Sequence, residues 1–328
     1  MNKLLKKAIS LTMAAVIVVP VGMKTGAIKA FTGNTATAAS ANLLEVSNVE
    51  QTDFTDSTIT ISWQGDANAD SYEVSYSDVF GENSDFVVAG FTTKTTYTIS
   101  GLKSGCIYNI RVTPSNADGD NAIYGHCDNA KTKVSAMKGV KTNNYYSGAG
   151  NAIISWDKQQ AADGYEYRWK NSNGKVIKKG TTKDLSLDFS VNNNNVYQFM
   201  VRAYQKLNAK TYYSSWKTIY VFRQPQVKSV AVKKNKKSVN QLKISWYKQQ
   251  GATGYDVYVS KNNIRKNFKK VKSVGKKTTS VAINKFKGKK IKGTYYVYVI
   301  SKVKTANGTS KSGSNYMWQT GFTYKGGL

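Results

Sequence analysis

"ISWDKQQAADGYEY" runs from Ile154 to Tyr167, and "ISWYKQQGATGYDVY" runs from Ile244 to Tyr258, ninety residues further on. A blurred third copy, "ISWQGDANADSYEVSY", lies upstream, from Ile61 to Tyr76. In each copy Ile and Trp hold alternate positions, the pattern of a half-buried strand. A polar, turn-forming segment follows. Tyr72, Tyr165 and Tyr255 then open a second alternating run, each nine residues after Trp63, Trp156 or Trp246. Two such runs joined by a short polar segment predict a hairpin with its Trp facing inward.

Each copy has a second marker downstream. Tyr108 in "GLKSGCIYNIRV", Tyr197 in "VNNNNVYQFMV" and Tyr295 in "KGTYYVYV" each stand four residues before a Val. A Tyr that opens a strand after a turn can fold its hydroxyl back onto loop backbone, the tyrosine corner of sandwich domains. Leu102 and Val191 stand six residues before their Tyr, but Phe286 stands nine before Tyr295, so the third loop is longer. The Trp residues lie 93 and 90 apart. That period suits a seven-stranded antiparallel sandwich and exceeds the roughly 20–50 residues of a solenoid repeat. The units are therefore expected to be independent beads, each with its own core.

"LKISWYKQQGATGYDVYVSKN" (Leu242–Asn262) and "VYQFMVRAYQKLNAKTYYSSW" (Val196–Trp216) resemble the fibronectin type III domains of secreted bacterial proteins. The resemblance implies an all-β chain of three tandem seven-stranded, immunoglobulin-like sandwiches. It makes Trp63, Trp156 and Trp246 the core Trp of the second strand. It also makes Tyr108, Tyr197 and Tyr295 the corner tyrosines, and all six are expected to be structural core. It extends over residues 44–328, and the first copy departs from it at "QGDANADSYEVSY". The expected domains are 44–134, ending near "KTKV", 135–224, opening at "VSAMKGV", and 225–328, linked through "RQPQVKSV". Pro225 stops a strand from running through the last boundary, and such short linkers predict a semi-rigid rod. One sandwich fold hosts many functions, so fold alone names none.

Residues 1–40 read as an export signal with a short linker. Lys3, Lys6 and Lys7 precede a 16-residue uncharged stretch, Ala8 to Met23, and Ala36-Thr37-Ala38 fits a cleavage site. The alternative is an uncleaved anchor, but a spanning helix needs about 20 apolar residues. Secretion is expected, with retention at the cell surface by charge.

The 328 residues carry a net charge of +29 and are 40% hydrophobic, enough for ordinary cores. The charge is uneven: −8 over residues 44–134, +9 over 135–224 and +23 over 225–328, where Asp256 is the lone acid. Such a gradient bears on partners rather than on fold.

Little in the chain suggests catalysis. His126 is the one histidine, and Cys127, its chain neighbour, would point to the opposite face of a strand. Two Cys and one His fall short of a zinc set. Asp118-Gly119-Asp120 resembles a fragment of a calcium loop without the remainder, and reads as a turn. No catalytic residue, metal or cofactor is expected. There is no Arg-Gly-Asp triplet, and Asn307-Gly308-Thr309 suits a hairpin turn as well as a glycosylation sequon. Export favours pairing Cys106 with Cys127. Strand geometry opposes it, placing them at opposite ends of neighbouring strands, roughly 20 Å apart.

The basic residues of the last third form three clusters: Lys233, Lys234, Lys236 and Lys237; Lys261, Arg265, Lys266, Lys269, Lys270 and Lys272; and Lys285, Lys287, Lys289, Lys290 and Lys292, with Lys261, Arg265, Lys285 and Lys292 outside the set expected to bind the polyanion. Lysine on sheet edges also blocks aggregation, but one acid among so many bases exceeds that need. Lys outnumbers Arg, which favours point-charge attraction over bidentate recognition. The expected function is a secreted, non-catalytic adhesive or scaffolding protein of a bacterial envelope. Its basic end would dock on an anionic wall polymer, lipid or acidic glycan, with nucleic acid as runner-up. The protein is expected to be a monomer that also meets other secreted proteins. The rival is an ancillary carbohydrate-binding protein acting beside secreted hydrolases, on the aromatic rows "KTYYSSW" (Lys210–Trp216) and "NYMW" (Asn315–Trp318).

Overall fold

The computed structural model describes residues 43–81, 85–143, 150–192, 194–305, 308–311 and 324–326. The expected export signal at 1–40 and the aromatic row at 315–318 lie outside them, as does Asn307. Every helical turn among the described residues is 3-10, at Arg265–Asn267; the remainder is strand, turn and loop.

Three β-sandwiches follow one another, each pairing a three-stranded sheet with a larger one. In the first, Ser47–Phe54, Ile59–Gln64 and Thr96–Ile99 face a sheet ordered Val87–Thr92, Ser71–Asp78, Ile107–Ser115, Gly125–Lys131. In the second, Lys141–Asn143, Asn151–Ser155 and Ser186–Ser190 face Val176–Thr182, Gly164–Lys170 and Tyr197–Leu207, the last pairing with both Lys210–Tyr213 and Lys217–Val221. The third repeats this with Val227–Lys234, Asn240–Trp246 and Ser280–Ile283 against Lys269–Gly275, Gly254–Ser260 and Tyr295–Thr305, which pairs with Gly308–Lys311 and Tyr324–Gly326. The third also has a small hairpin, Lys285–Phe286 with Lys289–Lys290.

The repeated phrase builds each core, but not as the expected hairpin: its Trp strand pairs in the three-stranded sheet and its Tyr strand in the larger one, so the connection crosses between the sheets and both rings face the core. In Ile59–Gln64 the residues Ile59, Ile61 and Trp63 are buried and their neighbours turn outward, as the period of two requires. The nine-residue spacing then sets each Tyr ring edge-on against its Trp. Centroids are 5.4 Å apart for Trp63–Tyr72, and 5.5 Å for both Trp156–Tyr165 and Trp246–Tyr255. Such pairs contribute about 0.5–1.5 kcal/mol beyond area burial. The Tyr hydroxyl also holds the loop between the strands: Tyr165 and Tyr255 accept from the backbone N–H of Gln159 and Gln249, each at 3.0 Å. Tyr72 instead donates to the Asp66 carbonyl, at 3.3 Å. Among the corner tyrosines, Tyr108 accepts from Lys103 N–H at 2.8 Å and Tyr295 from Lys292 N–H at 3.2 Å. Tyr197 stacks on Trp169 at 4.9 Å.

Three separate apolar clusters form, around Trp63, Trp156 and Trp246. Their junctions are nonetheless hydrogen-bonded, and the polar middle of the repeated phrase lies in them. Between the first and second sandwiches, Ala161 N–H donates to Gly105 O at 3.3 Å. Asp163 pairs with Lys131 at 2.5 Å, and the Gln205 amide bridges Val134 N–H and Thr132 O. Between the second and third, Gln250 N–H donates to Asn194 O at 2.7 Å, and Gln250 O accepts from Val196 N–H at 2.9 Å. Gly105 and Asn194 each stand three residues before their corner Tyr, so the two joints are one design used twice. The first copy diverges because it makes no such joint among the described residues. Asp66 instead stays within its own sandwich, accepting from Glu45 N–H and Asn68 N–H.

Cys106 and Cys127 are both free. Cys127 lies opposite Ile110, four residues along from Cys106. The separation is therefore about 13 Å rather than 20 Å, still past the ~7 Å reach of a disulfide.

Candidate functional site

Strand direction decides where the lysines of the third sandwich meet. Gln249 and Gln250, between the second and third strands, touch the second sandwich, so that connection lies at the near end. Antiparallel strands alternate in direction, which puts three other connections at the far end: 235–239, 261–268 and 284–294. Those connections hold the three lysine clusters. Lys233, Lys234, Lys236 and Lys237 flank the first turn, where Asn235 Oδ1 accepts from Lys237 N–H and Val239 N–H. Lys266 lies in the 3-10 turn, and Lys269 and Lys270 open the edge strand opposite Val259 and Tyr258. Lys287, Lys289 and Lys290 form the small hairpin. Only Lys272 of the expected set lies further along, opposite Val257. All of these lysines are exposed.

The three connections are tied together. Asn240 Nδ2 donates to Ile291 O at 3.4 Å, and Gln241 Nε2 donates to Asn284 Oδ1 at 2.6 Å. Lys261 Nζ donates to Lys292 O and Thr294 O and lies 3.5 Å from the centre of the Tyr295 ring. Lys292 stands three residues before Tyr295, the position of Gly105 and Asn194. The carbonyl that holds the next sandwich in the first two units is thus taken by a lysine in the third. Sequence reasoning grouped the lysines but missed this cap, which only the three-residue offset from the corner Tyr could have signalled.

No carboxylate balances this face. Asp256 is buried within its own sheet, between the two strands that flank it, with Lys302 Nζ at 2.8 Å and Ser273 Oγ donating to the same oxygen. Burial pushes its carboxyl up, but the hydrogen bonds from Lys302 and Ser273, with the Lys302 and Lys270 charges, outweigh this and hold it below the ordinary aspartate range. It stays ionised and neutralises Lys302 rather than the lysine face.

The other expected chemistry is dispersed. His126 projects from Gly125–Lys131 beside Asp128 at 3.7 Å, both exposed. Asp120 closes a turn with Asn116 through two hydrogen bonds. No group of three His, Cys, Asp or Glu could hold a metal ion among the described residues. The row Lys210–Trp216 is partly covered, although Tyr213 stays 40% exposed. Trp216 lies under both Arg168 and Arg202, at 4.6 and 4.5 Å, and Arg202 also covers Tyr213 at 3.6 Å. Glu166 fixes Arg202 with two hydrogen bonds. Tyr212 meets Phe54 of the first sandwich edge-on at 4.5 Å.

A fibronectin type III domain model matches residues 44–123. No curated protein matches the chain. Among solved structures, the FN1–FN3 domains of chicken CNTN1 align at 14% identity over 86% of this chain and 98% of that one, with a TM-score of 0.30. A two-domain fibronectin type III segment of chicken tenascin aligns at 16% identity over 54% of this chain and 98% of that one, with a TM-score of 0.31. Residues 44–123 are thus similar to a fibronectin type III domain, and the sandwiches that follow share the same all-β fold class.

Proposed function

We propose that this is a secreted, non-catalytic adhesive or scaffolding protein of a bacterial cell envelope, docked through the far end of its third sandwich on an anionic surface polymer. The observation that supports this is the convergence of three sequence-separated lysine clusters on one end face, while the only acid of residues 225–328 is buried against Lys302. Such a face attracts polyanions by summed charge, without needing a shaped pocket. Fibronectin type III domains commonly serve as adhesive or scaffolding modules, which fits a chain with no catalytic constellation among its described residues. The carbohydrate-platform reading is weaker, because the ring faces of Trp216 and Tyr213 are covered by arginines.

A salt titration of the full chain on immobilised glycerol-phosphate polymer tests the proposal. Retention is expected at about 0.01 M salt, where charges act over roughly 30 Å, and release near or above about 0.15 M, where the range falls to roughly 8 Å. Retention that is indifferent to salt over this range would sink charge docking.

A further inference from the structure

We propose that the hairpin Lys285–Phe286/Lys289–Lys290 is the seat of this face, a clamp for neighbouring phosphates of a linear polyol-phosphate polymer. This rests on the docking function proposed above and narrows it to one element and one anion.

The hairpin is an addition. In the first and second sandwiches the loop before the corner Tyr spans six residues from Leu102 or Val191; in the third it spans nine from Phe286, and the extra length forms the hairpin. Its register sets Lys285 directly opposite Lys290. Like charges so placed repel and weaken a strand pair, and the one acid of residues 225–328 is engaged elsewhere. The turn is also chosen against local preference. Lys287 and Gly288 both have positive φ, +50° and +77°, the type I′ geometry that favours Asn-Gly. A lysine thus stands where Asn would fit with less strain, and another faces its own kind. Strain retained in this way marks functional positions.

The hairpin is nonetheless anchored. Phe286 within it and Ile291 just after it are buried, and Phe286 meets Tyr295 edge-on at 5.9 Å. Lys285, Lys287, Lys289 and Lys290 are exposed on this fixed base. A phosphate between Lys285 and Lys290 replaces their repulsion with two charge-assisted hydrogen bonds. Lysine, a compact point charge, suits a phosphate oxygen, whereas paired carboxylate oxygens favour the arginine fork. A nucleic acid would add base stacking on exposed rings. At this face Phe286 and Tyr295 are buried, and Lys261 covers Tyr295, so the geometry favours a polymer without bases.

Two full-length variants with equal loss of charge test the assignment. One changes Lys285, Lys287, Lys289 and Lys290 to Gln; the other changes Lys243, Lys276, Lys277 and Lys304 to Gln, exposed lysines away from the end face. Binding to glycerol-phosphate polymer is measured across salt, and thermal unfolding of each variant is followed in parallel. The hairpin variant is expected to bind at least about tenfold more weakly. The slope of log affinity against log salt should flatten by roughly one for each phosphate that the variant no longer neutralises. It should unfold no earlier than the unmodified chain, because repulsion has been removed. The other variant is expected to stay within about twofold. Equal losses in both variants overturn the hairpin as seat while leaving charge docking intact. No binding by the unmodified chain overturns docking itself. Tighter capture of a carboxylate polymer or of oligothymidylate with matched charge overturns the polyol-phosphate assignment.

Discussion

The second and third sandwiches share a phrase and a frame, yet their far ends do opposite things. The Trp–Tyr centroid distance is 5.5 Å in both, and Gln159 and Gln249 hold the same Tyr hydroxyl at the same 3.0 Å. At the far end of the second, Asn194 O and Val196 N–H bond the backbone of Gln250 and so hold the next sandwich. At the far end of the third, the equivalent carbonyl is capped by Lys261, and a longer loop raises the lysine hairpin. A few residues inserted before the corner Tyr thus separate a joint from a charged face, with the core beneath unchanged. The side faces differ too: Glu166 binds Arg202 with both side chains about a fifth exposed, whereas Asp256, at the same place after its Tyr, is itself buried and meets a Lys302 about as exposed as Arg202.

The most forceful way to break the comparison is through the shared core. Trp246→Ala should cost about 3–5 kcal/mol in the third sandwich. The second should keep its own transition, because the clusters around Trp156 and Trp246 are separate. Amide exchange resolved by sandwich checks this; simultaneous loss of protection in both would show that the joint fuses them into one folding unit.

A smaller effect should follow Asp256→Asn, about 1.5–3 kcal/mol, because charge-assisted hydrogen bonds from Lys302 and Ser273 are lost. The depressed carboxyl gives the direction with pH. A group whose folded value lies below its unfolded one stabilises above the ordinary aspartate range, and that contribution disappears as pH falls through the folded value. Denaturant midpoints from pH 7 down to about pH 2 should converge for the two proteins at the acid end. A gap of constant size would rule out the ionised pair as its source.

The mildest test sharpens the joint. Gly251 has φ +83°, and a Cβ there would meet Val196 Cβ at 3.0 Å and Ser172 Cβ at 3.1 Å. Gly251→Val should cost about 1–2 kcal/mol in backbone strain and speed amide exchange at Val196 and Gln250. The same substitution at Ala161, its counterpart in the second sandwich, would show whether the two joints yield alike. Unchanged exchange at Val196 would mean that the covalent linker alone holds the two sandwiches together here.

The frame was legible because it is written in short-range patterns. Alternation within Ile59–Gln64, the nine-residue step from Trp to Tyr and the corner tyrosines each lie within a short stretch of chain, and the hydrophobic effect reads them locally, although the Trp and Tyr strands pair in opposite sheets and not with each other. The excess of lysine over acid in the last third was equally plain, since charge sums need no geometry. The joints were not legible. Gln249 and Gln250 look like solvated loop residues, and Gln205 like a misplaced polar residue in a strand, until two sandwiches are brought together, and only then do their amides and backbone become the joint. The surroundings of the aromatic row at Lys210–Trp216 were hidden for the converse reason: sequence displays rings, but not the arginines from other strands that stack on them.

By itself, then, the sequence determined that this is an all-β chain of repeated sandwiches with a strongly basic last unit, because local periodicity and composition survive any arrangement of the strands. Only the tertiary structure decided that lysines from positions 233–237, 266–270 and 285–290 share one end face, and that the equivalent ends of the other sandwiches are joints. Both outcomes depend on strand direction and on pairings between residues tens of positions apart, which no local pattern encodes.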